Sequence, residues 1–187
     1  MKQRGPDLIP ALGAADHLRG SLDAPVVITE FGDFECPFCG AAFGVLQAIL
    51  EKYGPRVALA FRHYPLPMHP HAMAAAEAAE AAASVGKFWP MYDELYRHQS
   101  ALRSSDLRAY AKAIGVGEDV VAGAIAGDTY AARIARDQRS GDASGIEGTP
   151  ALFINGFSYD DEASVEALSE VIDRALAANQ TGAPGGA

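Results

Sequence analysis

Two cysteines stand three positions apart in this chain, in the run Cys36-Pro37-Phe38-Cys39. The run follows an apolar, β-rich stretch, Pro25-Val26-Val27-Ile28-Thr29-Glu30-Phe31, and precedes a helical pattern from Gly40 to Tyr53. Strand, C-x-x-C, helix is the context in which such a pair reads as a redox dithiol. In a helix's first turn, unpaired N–H groups and the positive end of the helix dipole favour thiolate over thiol. Pro37 suits that turn, because its fixed φ is already helical and its missing N–H costs nothing there. Phe38 adds an apolar wall and no charge, which leaves the helix terminus as the expected main stabiliser of the anion. On this reading Cys36 attacks, and Cys39, one turn in and covered, resolves the mixed disulfide.

Two other chemistries use paired cysteines. A zinc site would need two further ligands, with His63, His69 and His71 as the available donors, and no second cysteine pair exists. A purely structural disulfide between neighbours closes too short a loop to constrain the unfolded chain much. No metal is expected, and no cofactor beyond the dithiol itself.

The 187 residues suffice for one well-buried core, and 49% of them are apolar with a mean hydropathy of +0.01. A net charge of −9 and a pI near 4.9 argue against nucleic acid or an anionic membrane surface as partner. No apolar run reaches the length of a membrane span. Near the N-terminus Leu8 to Ala15 is short, broken by Pro10 and followed by Asp16-His17, a poor signal-peptide core. As written the chain reads as cytoplasmic; as a trimmed mature form it would be periplasmic or extracytoplasmic.

The elements that must position the dithiol follow from the patterns on either side. Residues 1–24 read as an N-terminal arm with a turn at Arg19-Gly20-Ser21. Pro25 to Gly32 reads as a strand buried on both faces. In the following helix Gly40, Gly44, Gln47 and Glu51 leave one narrow solvent stripe, so that helix is central. Arg56 to Tyr64 is a second strand, joined by a right-handed parallel crossover. From 67 to 144 the patterns are helical: an alanine-rich helix with Glu77 and Glu80 on its wet face, a stripe of Phe88, Met91, Tyr92, Leu95 and Tyr96, another through Leu107 and Ile114, then two short helices. Aromatic and Met stripes of this kind read as core. Ala151 to Ile154 is a strand, Asn155-Gly156 a two-residue hairpin turn, and Phe157 to Tyr159 its partner. A terminal amphipathic helix and a Gly/Pro/Ala tail at 181–187 close the chain.

With these pieces in place, the chain resembles the DsbA-like branch of the thioredoxin superfamily. The matching segments are Gly32-Asp33-Phe34-Glu35-Cys36-Pro37-Phe38-Cys39, Phe61-Arg62-His63-Tyr64-Pro65-Leu66, His69-Pro70-His71-Ala72 and Gly148-Thr149-Pro150, within a span of about Asp16 to Ala177. The resemblance implies an α/β thioredoxin fold, with core segments 25–66 and 145–180 and an all-helical subdomain inserted at 67–144. It also implies that Pro150 is a cis-proline beside the dithiol, with the Thr149 backbone free to pair with a substrate; taken without the resemblance, a trans proline starting a strand is the ordinary case. Glu30, six residues before Cys36, falls where this branch keeps a buried acid. A buried carboxyl would have a raised pKa and relay the proton of Cys39, whereas a Glu at a strand edge would simply reach solvent. Asp33 and Glu35 would oppose thiolate formation unless solvent screens them. His63, His69 and His71 read as helix-start and packing residues.

The function this implies is thiol–disulfide exchange with protein or small-molecule substrates: Cys36 and Cys39 catalytic, Glu30 a proton shuttle, and Pro37, Phe38, Thr149 and Pro150 in contact with substrate. Two alternatives stand beside it: a redox-silent binding or holdase module that keeps the groove, and a glutathione-dependent transferase or isomerase relative. Strongly oxidising members carry a histidine in the motif dipeptide where this chain has Phe38, which leaves the direction of electron flow open. Oligomeric state is not encoded in these patterns.

Overall fold

The computed structural model of the chain describes residues 7–181. Five strands, β1 (His17–Arg19), β2 (Val26–Gly32), β3 (Val57–His63), β4 (Ala151–Ile154) and β5 (Phe157–Tyr159), form one mixed sheet in the order β1-β3-β2-β4-β5. Helix α1 (Pro37–Tyr53) joins β2 to β3. Between β3 and β4 lie α2 (Ala72–Ala83), α3 (Phe88–Arg97), α4 (Ser104–Ala113), α5 (Glu118–Gly127) and α6 (Ala131–Ala143), and α7 (Val165–Thr181) ends the described chain. This is the expected mixed α/β thioredoxin-like architecture.

β2 and β3 are parallel, paired from Val26↔Val57 to Gly32↔His63, and every residue of both is buried. The near-continuous apolar run of β2 thus marks a central strand covered on both faces. Side chains alternate between those faces. Val26 and Ile28 join the main core with Leu46, Ile49 and Tyr53 of α1 and with residues of α3 and α7, while Phe31 packs with Phe153 and Leu8 on the other side. By the same alternation Glu30 is on the α1/α3 face. β4 runs antiparallel to β2, with Phe31 opposite Ala151. That register brings Pro150, more than a hundred residues on, to the end of the sheet from which the chain enters Cys36.

Several details differ from expectation. Residues before 25 contribute a strand as well as an arm: β1 pairs antiparallel with β3, His17 opposite Phe61. On α1, Gly44 and Glu51 are exposed as expected, but Gln99 lies against Gly40 and Arg19 reaches Gln47. Glu77 and Glu80 do not mark a wet face; both are buried. Alanine side chains are so short that neighbours close over α2 on all sides, and each acid is paired instead. Glu77 accepts the Tyr130 N–H, and Glu80 Oε1 meets His17 Nε2 at 2.7 Å and His63 Nε2 at 2.9 Å. Of the two short helices, expected at about Glu118 to Ala126 and Thr129 to Arg139, α5 agrees to within one residue and α6 begins and ends a few residues later, and α7 extends to Thr181, so the tail expected from 181 lies, beyond that residue, outside the described chain. The Asn155-Gly156 turn has the two positive φ values, 50° and 83°, of a tight hairpin.

Candidate active site

Helix α1 starts at the dithiol. Cys36 is its N-cap, in extended conformation (φ −71°, ψ 121°), and Pro37 opens the first turn. An N-cap side chain lies over the free N–H groups of the second and third helical residues, here Phe38 and Cys39. Both cysteines are free thiols in this structure. Cys36 is 3% exposed and Cys39 fully buried, whereas Phe38 stands 73% exposed beside them. The Thr149–Pro150 peptide is cis, and Cys36 Sγ donates to the Thr149 carbonyl at 3.3 Å. Thr149 Oγ1 is buried without a hydrogen-bond partner, so it is available to an anion on that sulfur.

The two sulfurs differ sharply in acidity. The Cys39 thiol acts as a donor to Cys36, which lowers the Cys36 pKa to about 5; burial opposes this, and the Thr149 side chain and the N–H groups of Cys39 and Phe38 assist. The helix terminus is therefore a contributor rather than the main stabiliser expected from the sequence. Burial pushes the Cys39 thiol far up, reinforced by its bond to Cys36 and by the charge of Glu30. Asp33 N–H is the backbone donor toward Cys39 Sγ, at 3.5 Å.

Glu30 lies within a central strand, which removes the reading of an edge residue reaching solvent. Its relative exposure is 0%, and its carboxylate accepts the Tyr92 hydroxyl at 2.7 Å on Oε2 and the Tyr96 hydroxyl at 3.4 Å on Oε1. Burial raises its pKa to about 7 in spite of both tyrosines.

The acids flanking the motif are neutralised by pairing rather than by solvent. Asp33 is 1% exposed. Its carboxylate accepts the N–H groups of Glu35 (2.8 Å) and Leu66 (2.9 Å) and meets His69 Nδ1 at 2.7 Å. That bond to Asp33 holds the His69 pKa above its usual value. For Glu35, burial alone would raise the carboxyl, but the side-chain and backbone bonds from His71 (2.8 and 2.6 Å) outweigh it and hold the pKa low. His63, His69 and His71 thus each face a different carboxylate and do not converge on the sulfurs. Among the described residues the group close enough to share a cation is His17, His63 and Glu80. There both imidazoles meet the same Glu80 oxygen, and the Arg133 guanidinium lies 3.6 Å from it.

A family model described as Thioredoxin matches residues 14–174. The chain belongs to the thioredoxin family. Among solved structures this family member is similar in fold to oxidised BdbD from Bacillus subtilis, with a TM-score of 0.80 at 21% identity over 87% of this chain and 94% of that one. A thioredoxin-like oxidoreductase from Silicibacter pomeroyi gives 0.78 at 22% identity over 88% and 94%. The α-DsbA1 of Wolbachia pipientis gives 0.78 at 18% over 92% and 96%. The fold is thus DsbA-like. In sequence the chain is 41% identical over 180 residues to the Na(+)/H(+) antiporter NhaA 3 of Salinispora tropica and 40% identical over 171 to the Na(+)/H(+) antiporter NhaA 1 of Salinispora arenicola. It spans only 28% and 26% of the length of those proteins. No helix among the described residues is long and apolar enough to cross a membrane.

The thioredoxin-type arrangement brings Cys36, Cys39 and the Thr149–Pro150 peptide together, sets Glu30 in the core on the face of α1, and leaves Pro37 and Phe38 exposed at the rim. Three further residues bear on the site without standing in any motif: Tyr92, Tyr96 and Gln99. Gln99 Nε2 donates to the carbonyls of Phe34 (2.9 Å) and Cys36 (2.8 Å), clamping the loop that carries the first cysteine. The available signal was their spacing, 92, 96 and 99, which puts them along one side of α3 and the turn after it.

Proposed function

We propose that the chain is a thiol–disulfide oxidoreductase exchanging disulfides with protein or small-molecule substrates through the Cys36–Cys39 dithiol. The observation that carries this reading is the asymmetry of the pair: one sulfur acidified at a helix N-cap, the other buried and held as a thiol beside it. The Cys36 thiolate attacks a substrate disulfide, forming a Cys36–substrate mixed disulfide and expelling one substrate thiolate. Cys39 then loses its proton, with Glu30 as acceptor, and attacks Cys36 Sγ. The Cys36–Cys39 disulfide forms, the second substrate thiolate leaves, and two electrons have passed to the substrate. The reverse sequence oxidises a dithiol substrate, and the direction follows the potential of the compartment and of the substrate.

Thr149 and Pro150 line the approach to Cys36, where the extended backbone of a substrate pairs with Thr149, and Pro37 and Phe38 supply an apolar rim to it. No cofactor beyond the dithiol takes part in these steps. The antiporters that share the sequence are several times longer, and this reading concerns only the stretch in common.

Trapping separates the roles. With Cys39→Ser the mixed disulfide at Cys36 has no internal resolver and accumulates with a disulfide substrate such as insulin, whereas Cys36→Ser traps little. Equal yields from the two variants would show the roles to be wrongly assigned. Absence of insulin reduction by the unmodified protein would favour a binding module that keeps the fold without the chemistry.

A further inference from the structure

The inserted helices are tied to the dithiol through Glu30. Tyr92 and Tyr96 stand one turn apart on α3, both are buried, and both direct their hydroxyls at the one carboxylate on the α1 side of β2. The chain leaves room for this contact. A Cβ at Gly32 would meet Phe61 Cε2 first and would lie 2.7 Å from the Tyr96 hydroxyl oxygen and 3.0 Å from Glu30 Oε1. A side chain there would crowd both the Phe61 ring and the Tyr96–Glu30 contact.

We infer that Tyr92 and Tyr96 are positioning residues that hold the Glu30 carboxylate in its ionised form, so that the inserted subdomain sets the pH at which Cys39 can be deprotonated. The inference rests on Glu30 serving as the proton acceptor in the resolving step. A carboxyl in an apolar core is driven toward its neutral form, and a neutral Glu30 cannot accept a proton. Hydroxyl donors favour the anion, and at 2.7 Å Tyr92 is the stronger of the two. The other groups that act on Glu30 are few. From α1 these are the two cysteines, of which an ionised Cys36 raises its pKa. On β3 and β4 the residues paired with it are Phe61 and Leu152, which carry no charge. Arg19 and Asp93 act on Tyr92, and Asp33 acts on Tyr96. Without the tyrosines only burial and like charge would act on the acid, and both oppose its ionisation.

The step under test is balanced: Cys39–SH gives its proton to Glu30, the Cys39 thiolate attacks the Cys36–glutathione disulfide, and glutathione leaves as thiolate. The reduced protein is mixed with glutathione disulfide, quenched with acid, and resolved by mass spectrometry into reduced, mixed-disulfide and Cys36–Cys39 forms. The rate of the second step is measured from about pH 5 to about pH 9, where carboxyls and thiols of folded proteins titrate. In parallel, the protonated-carboxyl band in infrared difference spectra, assigned by its loss in Glu30→Gln, gives the Glu30 midpoint directly. Tyr92→Phe should move both the midpoint and the rate profile upward by about one pH unit, the size of one charge-assisted hydrogen bond. Tyr96→Phe should move both less.

A Glu30 midpoint unmoved in both tyrosine variants overturns the inference, while the relay itself stands if Glu30→Gln abolishes the pH step. A midpoint that moves while the resolving rate does not, or a Glu30→Gln profile identical to that of the unmodified protein, overturns the relay and the inference with it. If the tyrosines were core aromatics and nothing more, their loss would lower stability and leave both profiles where they were. Should Tyr92→Phe fail to fold, Tyr96→Phe decides alone, an upward shift supporting the inference and a fixed midpoint refuting it.

Discussion

The acidity of Cys36 is assigned first to its neighbour Cys39, and this gives a sharp test. Replacing Cys39 leaves Cys36 as the only cysteine in the chain, so a single alkylation profile reports one sulfur. Cys39→Ser keeps a hydroxyl donor in the first turn, while Cys39→Ala removes it. A hydrogen bond to an ionised group contributes about 1.5–3 kcal/mol, and thiol or hydroxyl donation to sulfur belongs at the weak end, so the Ala variant should titrate about one pH unit above the Ser variant. From the Cys36 pKa of about 5, the Ser variant would be roughly nine-tenths thiolate at about pH 6 and the Ala variant roughly half.

The rates have a second signature. Nucleophilicity falls with thiol pKa with a Brønsted slope of about 0.4–0.5, so a sulfur some 3.5 units more acidic than an ordinary thiol of about 8.5 is intrinsically about forty-fold slower as its anion. At about pH 6 the ordinary thiol is ionised to only a few parts per thousand, and Cys36 should still react several-fold faster; at about pH 9 the order should invert. Iodoacetamide alkylation with free glutathione as internal reference measures both effects. A Cys36 midpoint above pH 8, which lies near the ordinary thiol value, would remove the starting point of the mechanism. Identical midpoints for the Ala and Ser variants would refute the assignment to the Cys39 donor.

Two further outcomes follow from contacts away from the sulfurs. Gln99→Leu removes the side-chain donor from the Phe34 carbonyl and leaves the Cys36 carbonyl with the Gly40 N–H alone, at about 1–3 kcal/mol for a group left unsatisfied; hydrogen exchange should speed up in the motif loop and insulin reduction should slow. Gly40→Ala should copy that phenotype, because its Cβ would lie 2.7 Å from Gln99 Cδ; a Gly40→Ala protein indistinguishable from the unmodified one in exchange would exclude the clamp. Glu80, buried yet bonded to His17 and His63, has its pKa held well below the carboxylate range, and burial holds His17 below the usual histidine value. Both folded pKa values are depressed, so the stability of this cluster is present above the unfolded values and is lost as pH falls through the folded ones. Chemical denaturation should show stability declining below about pH 6, and Glu80→Ala, which leaves the His17 and His63 ring nitrogens without their shared acceptor, should cost about 1–3 kcal/mol at neutral pH.

What was legible in the chain was local and periodic. The run before Cys36 reads as a strand, Pro37 after a cysteine as the opening of a helix, and Asn155-Gly156 between apolar pairs as a tight turn. His17–Arg19 escaped because a strand of three residues carries no alternation to read; it is defined by β3 beside it. Glu77 and Glu80 were misplaced because an acid at helical spacing normally marks water, and nothing local tells that His17, His63, Arg133 and the Tyr130 N–H will arrive from three other segments. Glu30 posed the same problem. A single carboxyl in an apolar run is compatible with the edge or the centre of a sheet, and only the pairing of β2 with both β3 and β4 decides.

The residues that serve the site from α3 were hidden for a different reason. Tyr92 and Tyr96 fall on the apolar stripe of an amphipathic helix, where a ring is explained by burial alone and the hydroxyl adds no pattern of its own. Yet a buried hydroxyl needs a partner, and so does a buried carboxyl. One Glu inside an otherwise apolar strand and two Tyr one turn apart on a separate buried stripe are each costly alone and inexpensive together. Mutual need of this kind is information that periodicity does not carry. It also sets a limit on dividing the chain into a thioredoxin-like core and a helical insert: Glu30 and the Phe34 carbonyl find side-chain donors in the insert, and Gln99 of the insert joins the Gly40 N–H of α1 on the Cys36 carbonyl. Through these bonds the insert takes part in holding the dithiol loop and its acid.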